Sequence, residues 1–252
     1  VQVNTVNESY VLWQWLAGTS AGTGTTTSPA GALASTSIVA TPGHFSVGTY
    51  TGTGSTTTVG HGLGGIPEMI IIKNRSSGST STADWVVGVD PWTDYGHLDT
   101  SGEFVANSNK WNNTDPTATV FTIGTHNRVN KASDNYVFYA FRSVPGVCKF
   151  GTYEGNGASD GTYISMGFKP RWVMVKVIDS GVGSDGNWTI YDTARQPING
   201  PASPTIFADD PNPTGHERSN SHKIDILSDG VKFRDNSNQT NSARTYIYLA
   251  MA

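Results

Sequence analysis

The chain has 252 residues, of which only 14% are charged, against roughly 25% in an average soluble protein, so its surface is rich in hydroxyls and amides rather than ions. Its formal charge of −4, with 16 Lys and Arg and no basic run, excludes nucleic acid as the main partner, because phosphate binding needs a clustered basic face. The single Cys148 excludes an intrachain disulfide and a thiolate metal cluster, and the central apolar run 69–72 is far short of the roughly 20 residues that cross a bilayer.

Val1 is not a start methionine and no charged-then-apolar leader follows it, which predicts a piece of a longer product. Residues 4–15 place Tyr10, Val11, Leu12, Trp13 and Trp15 after an Asn/Ser-rich turn, the same cast as 130–141 and 238–251. Each reads as a polar turn followed by an aromatic and β-branched strand. The N-terminus therefore looks like the tail of a preceding copy. Residues 17–41 are almost all Gly, Ala, Ser, Thr and Pro, which predicts a flexible connector.

From 45 onward the pattern is all-β. Residues 45–50 alternate apolar with small or polar side chains, while 69–73 and 172–176 read as strands buried on both faces. Strands at 85–87 and 188–191 follow Gly/Ser/Asp loops, and 120–124 matches 230–234 as the penultimate strand. No window of eleven or more residues shows a helical stripe. The chain also repeats itself: Gly48-Thr49-Tyr50-Thr51-Gly52-Thr53-Gly54 returns as Gly151-Thr152-Tyr153-Glu154-Gly155-Asn156-Gly157. Pro67 matches Pro170, Ile71 Met174, Lys73 Lys176 and Trp85 Trp188, all 103 residues apart. One spacing across a loop this variable predicts a duplicated folding unit. The expected fold is all-β, with two tandem antiparallel β-sandwich, jelly-roll-like domains at 45–146 and 147–252. Residues 1–44 supply a last strand of a preceding repeat and the connector. A tight Val144-Pro145-Gly146 junction predicts that 136–142 and 147–153 form one hairpin.

The Gly-Thr-Tyr string, Val59-Gly60-His61-Gly62-Leu63-Gly64, Pro67-Glu68-Met69-Ile70-Ile71-Ile72-Lys73-Asn74-Arg75, Trp85-Val86-Val87 and Trp111-Asn112-Asn113-Thr114 resemble a module repeated in virion and tail-fibre proteins of tailed bacteriophages. That family is usually placed near the laminin-G or concanavalin-like jelly rolls. The resemblance runs from Tyr10 to the C-terminus. It implies a virion tail location, other virion proteins and a homotrimer as partners, and host cell-surface glycan as the ligand of a structural, receptor-binding module. The alternative is a carbohydrate-binding repeat of a secreted enzyme or adhesin.

Catalytic patterns are weak. A β-glucan-cleaving sandwich would carry two glutamates on one face of one strand, yet Glu8, Glu68, Glu103, Glu154 and Glu217 are all far apart. No helix is expected to follow Gly52, Gly54 or Gly157, so these glycines read as turns rather than a phosphate cradle. The chain is thus expected not to be an enzyme, with no cofactor and no metal. The six histidines show no paired spacing, and Asp179, Asp185 and Asn187, or Asp235, Asn236 and Asn238, suit turns better than a calcium loop. Trp85 and Trp188 are expected in the core. The remaining lead is the segment carrying Asp90, Trp92, Asp94, Tyr95, His97 and Asp99, where an exposed aromatic flanked by carboxylates would offer a face and acceptors to a sugar. The loop 209–222 is the second place where the two copies differ.

Overall fold

A computed structural model describes residues 12, 14, 33, 35–40, 43–76, 84–179, 186–195, 199–200, 205–209 and 222–252. Apart from two single-turn helices, α1 (Ser108–Trp111) and α2 (Asn127–Asn130), its regular elements are strands, and every strand pairing is antiparallel. The all-β reading holds.

In the first half, β1 (Thr36–Val39), β2 (Phe45–Thr51), β9 (Asn135–Phe141), β4 (Met69–Asn74), β5 (Val86–Val89), β6 (Asp94–His97) and β7 (Val105–Ala106) form one seven-stranded sheet in that order. A two-stranded sheet of β3 (Thr57–Gly60) and β8 (Val120–Ile123) covers one of its faces. In the second half, β10 (Cys148–Glu154), β17 (Thr245–Met251), β12 (Trp172–Val177), β13 (Thr189–Asp192) and β14 (Ile206–Phe207) form a five-stranded sheet. It is covered by a three-stranded sheet of β11 (Tyr163–Ser165), β16 (Gly230–Phe233) and β15 (Ile224–Ile226).

The two-residue period of a strand explains how these layers stack. Ile70 and Ile72 point into the core under β3 and β8 with Val59, Phe121 and Phe138. Their neighbours Met69 and Ile71 point the other way, into a core shared with Phe150, Trp172, Met174, Ile247 and Leu249 of the second half. Val173, Val175 and Val177 then face Ile164, Val231 and Phe233 in a third core. The two large sheets therefore pack on each other as the middle of a four-layer block. This is why β4 and β12 carry no alternation of apolar and polar residues: both faces are covered, as the sequence predicted. What the sequence did not show is that the second cover is the other half. At roughly 1.5–3 kcal/mol for each large apolar side chain fully buried, this central core joins the halves as firmly as either outer core holds its own sheets.

The strand order β2-β9-β4-β5 in one half matches β10-β17-β12-β13 in the other, in register: Tyr50 lies opposite Tyr136 as Tyr153 lies opposite Tyr246. Each tyrosine pair stacks, with centroids 5.0 and 4.9 Å apart. The Tyr50 and Tyr153 hydroxyls donate to Val129 O (2.6 Å) and Thr240 O (2.5 Å). A buried asparagine then clamps each Gly-rich turn. Asn130 Nδ2 donates to Ser55 O and Gly124 O and its Oδ1 accepts from Thr53 N, while Asn241 Nδ2 donates to Ala158 O and Asp235 O and its Oδ1 accepts from Thr162 N. The turn glycines are required sterically. A Cβ on Gly52 would lie 2.3 Å from Lys131 O, and one on Gly155 would lie 2.0 Å from Ser242 O.

Two expectations need correction. The end of the predicted connector is a strand: β1 pairs with β2 from Thr36↔Thr49 to Val39↔Ser46, because Ile38 and Val39 are β-branched and Ser35 Oγ anchors the approach on Gly60 O (2.6 Å). β9 and β10 do not form a hairpin. Val144 and Cys148 make a single bridge, and the turn at Gly146 (φ 74°) sends the chain from the first large sheet into the one facing it. Each half keeps an outer core of its own, and the two also share the central one. Residues 10–15 fall, apart from Leu12 and Gln14, outside the described residues.

Candidate functional site

The main candidate is an open cleft of about 370 Å³ where the two large sheets meet. The first sheet supplies the approach to β4 (Ile66, Pro67, Glu68) and the end of β5 with the following turn (Asp90, Trp92), and Asp115-Pro116 closes one side. The second sheet supplies Phe150, Gly151 and Thr152 of β10, its outer strand, together with Tyr248 of β17. The walls are largely apolar and, among the described residues, the charged groups are all carboxylates. Glu68 Oε2 accepts from Ser143 N, whereas Asp90 and Asp115 have no ion pair or hydrogen bond among the described residues.

Two aromatic side chains shape the floor. Trp92 meets Trp111 edge-to-face at 5.4 Å, and its six-membered ring fills the space over Gly88, where a Cβ would come within 2.7 Å of Cζ3. Tyr248 lies across Gly151, its Oη 2.9 Å from where a Cβ there would stand. Burial, reinforced by the Glu68 carboxylate, raises the Tyr248 pKa, so its hydroxyl stays protonated.

The six residues singled out in the sequence do not form one site. Asp90 and Trp92 enter the cleft, but Trp92 is only 5% exposed, so it is a packed floor and not an exposed platform. The physical reason is Gly88 in the neighbouring strand, which leaves room for the indole against Trp111. Asp94 and Asp99 are spent on local structure: Asp94 Oδ1, at the start of β6, accepts from Thr93 Oγ1 (2.9 Å), and Asp99 Oδ1 accepts from Trp85 N ahead of β5 (3.0 Å). Tyr95 and His97 belong to a separate polar cluster. There Lys110, fully buried, places Nζ 4.4 Å from the Tyr95 ring centroid and 3.0 Å from His126 Nδ1. Arg128 bonds Asp84 (2.5 Å) and approaches His97 Nε2 (3.3 Å), whose carbonyl accepts the Trp188 indole N–H (2.7 Å). Burial, with the nearby Arg128 charge, brings the Lys110 pKa down to about 7, and burial with the Lys110, Arg128 and His97 charges brings His126 down to about 4.

The other sequence leads resolve into structure. Trp188 is buried in the central core with Lys176 Nζ over its ring at 5.4 Å, and Trp85 packs partly buried against the same core with Lys73 at 5.2 Å. The Gly52, Gly54, Gly155 and Gly157 amides bond to Asp134 O, Asn130 O, Arg244 O and Asn241 O, so none is left to face an anion. Asp179 Oδ2 accepts from Thr245 N at the start of β17 (2.7 Å), a long-range contact, whereas Asp235 accepts from Ser237 N and Thr240 Oγ1 in a turn role. Asp185 and most of 209–222 lie outside the described residues. Among the described residues, no group of three His, Cys, Asp or Glu is placed to hold a metal ion, and no helix is long and apolar enough to cross a membrane.

Glu68, Asp115 and Tyr248 escape a sequence reading because 180 positions separate the first from the last. Nothing in a linear pattern announces that the edge of one half faces the strand ends of the other. Over residues 1–252 the sequence matches the family described as Domain of unknown function (DUF7483), and the chain belongs to that family. No curated protein and no solved structure matches it.

Proposed function

We propose that this chain is a structural, receptor-binding module of a bacteriophage tail fibre or virion, an internally duplicated block that contacts host surface glycan through the loops between its strands. The observation that carries this reading is the cleft, which joins free carboxylates to an apolar wall in the manner of a saccharide site. The residues behind the phage-module resemblance support it from the other side. Tyr50, Tyr153, the motif glycines and Ile70–Ile72 are used in turns and cores, leaving recognition to the loops. Binding rather than turnover fits a cleft whose acids, among the described residues, are not paired with a positioned base or nucleophile.

Screening the chain on an array of bacterial surface glycans tests the proposal directly. Binding to a glycan subset is expected, together with a trimeric mass for the native assembly and contacts to other virion proteins. Hydrolysis of a bound polysaccharide, or a stable monomer that binds no glycan, would refute it.

A further inference from the structure

The lining of the cleft is selective in charge. Glu68, Asp90 and Asp115 stand around it and, among the described residues, neither Lys nor Arg lines it. It also presents two polar atoms that no group among the described residues occupies. Trp92 and Tyr248 are each only 5% exposed, yet neither the Trp92 indole N–H nor the Tyr248 hydroxyl has a hydrogen-bond partner among the described residues. Unlike the indole N–H of Trp111, fully buried without a partner among the described residues, these two polar atoms keep contact with solvent, so each is open to exchange hydrogen bonds with a ligand in the cleft that both side chains line. Ile66, 60% exposed on the rim, adds an apolar surface that the protein leaves uncovered.

A matching ligand would bring a cation to the carboxylates, hydroxyls to exchange hydrogen bonds with Trp92 and Tyr248, and a C–H face for Ile66 and Phe150. One ring of an amino sugar offers all three. A uronic, sialic or sulfated sugar would instead set its anion against three carboxylates, the like-charge juxtaposition that specific sites use to reject wrong partners. At about 370 Å³ the cleft lies at the lower end of the roughly 300–1,000 Å³ of small-molecule sites, which suits a short oligosaccharide. Resting on the glycan-contact reading above, we propose that the cleft binds a saccharide residue carrying a free amino group.

Calorimetric titration of the whole chain with the glucosamine trisaccharide and with its N-acetylated counterpart tests this. The free-amine sugar should bind at least tenfold more tightly, with an advantage that shrinks as salt is raised. Asp90→Asn combined with Asp115→Asn should remove the advantage, and Tyr248→Phe, which keeps the ring over Gly151, should weaken binding severalfold at an unchanged melting temperature. Trp92→Ala is a poor variant because it empties the space against Trp111 and Gly88. Four results would overturn the assignment: equal or tighter binding of the acetylated sugar, indifference to the two Asp substitutions, displacement by spermine at equal affinity, or no binding of either trisaccharide while other glycans bind on the array. Each of these leaves the glycan-contact reading standing. Failure of every glycan on the array overturns both.

Discussion

Replacing Lys110 by Met should stabilise the protein near neutral pH and flatten its pH dependence. Lys110 is fully buried, with His126 Nδ1 and the Tyr95 ring about its ammonium group and Arg128, His97 and Asp84 nearby. Burial takes its pKa from the ordinary 10.5 down to about 7. Between those values the unfolded chain binds a proton that the folded one does not, so stability rises with pH across the window and is lowest below it. At about 1.4 kcal/mol for each pH unit the full window amounts to roughly 4–5 kcal/mol, and relaxation of the surroundings reduces this to about 2–4 kcal/mol. Met keeps most of the stem volume, and His126 Nδ1 retains the Arg128 N–H as donor at 3.1 Å. Loss of the cation–π contact takes back about 0.5–2 kcal/mol, so a net gain of about 1–3 kcal/mol is expected at pH 7. Urea denaturation of both proteins at intervals from pH 6 to 10 measures it. Lys176, brought down to about 8 by burial, adds slope of the same sign, and Lys176→Met separates its share. A wild-type stability that is flat from pH 7 to 10, or a Lys110→Met variant with the whole wild-type slope, would show the reasoning to be wrong.

Asn241→Ala should destabilise by on the order of 3–5 kcal/mol, because it leaves the Asn156 and Thr162 amides and two carbonyls without their partner; Asn130→Ala should match it within about 1 kcal/mol in chemical denaturation, and a large disparity would break the equivalence of the two clamps. Gly155→Ala sets a Cβ against backbone at 2.0 Å, whereas at Gly146 nothing lies within 4 Å and only the positive φ resists. Melting temperatures should therefore fall further for Gly155→Ala than for Gly146→Ala, by the equivalent of about 1–3 kcal/mol, and the reverse order would count against the turn geometry. Calorimetry should show a single transition for the two halves, since they share a core; two well-separated peaks would contradict the central layer.

The fold was legible where period and spacing report directly on burial. The unbroken apolar runs at 69–72 and 172–175 announced strands covered on both faces, and they are. The equal spacing of Tyr50 and Tyr153 carried over to equal register in the two large sheets. The identity of the covering layer was not legible, because a residue pattern says that a face is buried and not by what. The same limit applies to Trp92. Its carboxylate neighbours suggested exposure, but the void over Gly88 decides its position, and that void exists only once β5 and α1 are side by side. β1 was hidden for a different reason: an edge strand one residue deep in Ile38 and Val39 needs little apolar content to pair.

The placement of β9 and β17 also sets an order of events during synthesis. Each is the last strand of its half in sequence yet sits inside its sheet, between β2 and β4 or between β10 and β12. Neither large sheet can close until about ninety residues after its first strand have left the ribosome, which is the long-range pairing that slows folding. Once β9 has closed the first sheet, Phe45, Met69, Ile71 and Phe141 still face outward, waiting for partners from the second half. Through that interval the nascent chain carries an uncovered oily sheet. It is then most exposed to chaperones and to association with a neighbouring copy, a vulnerability that ends only when Leu249 and Met251 arrive to cover it.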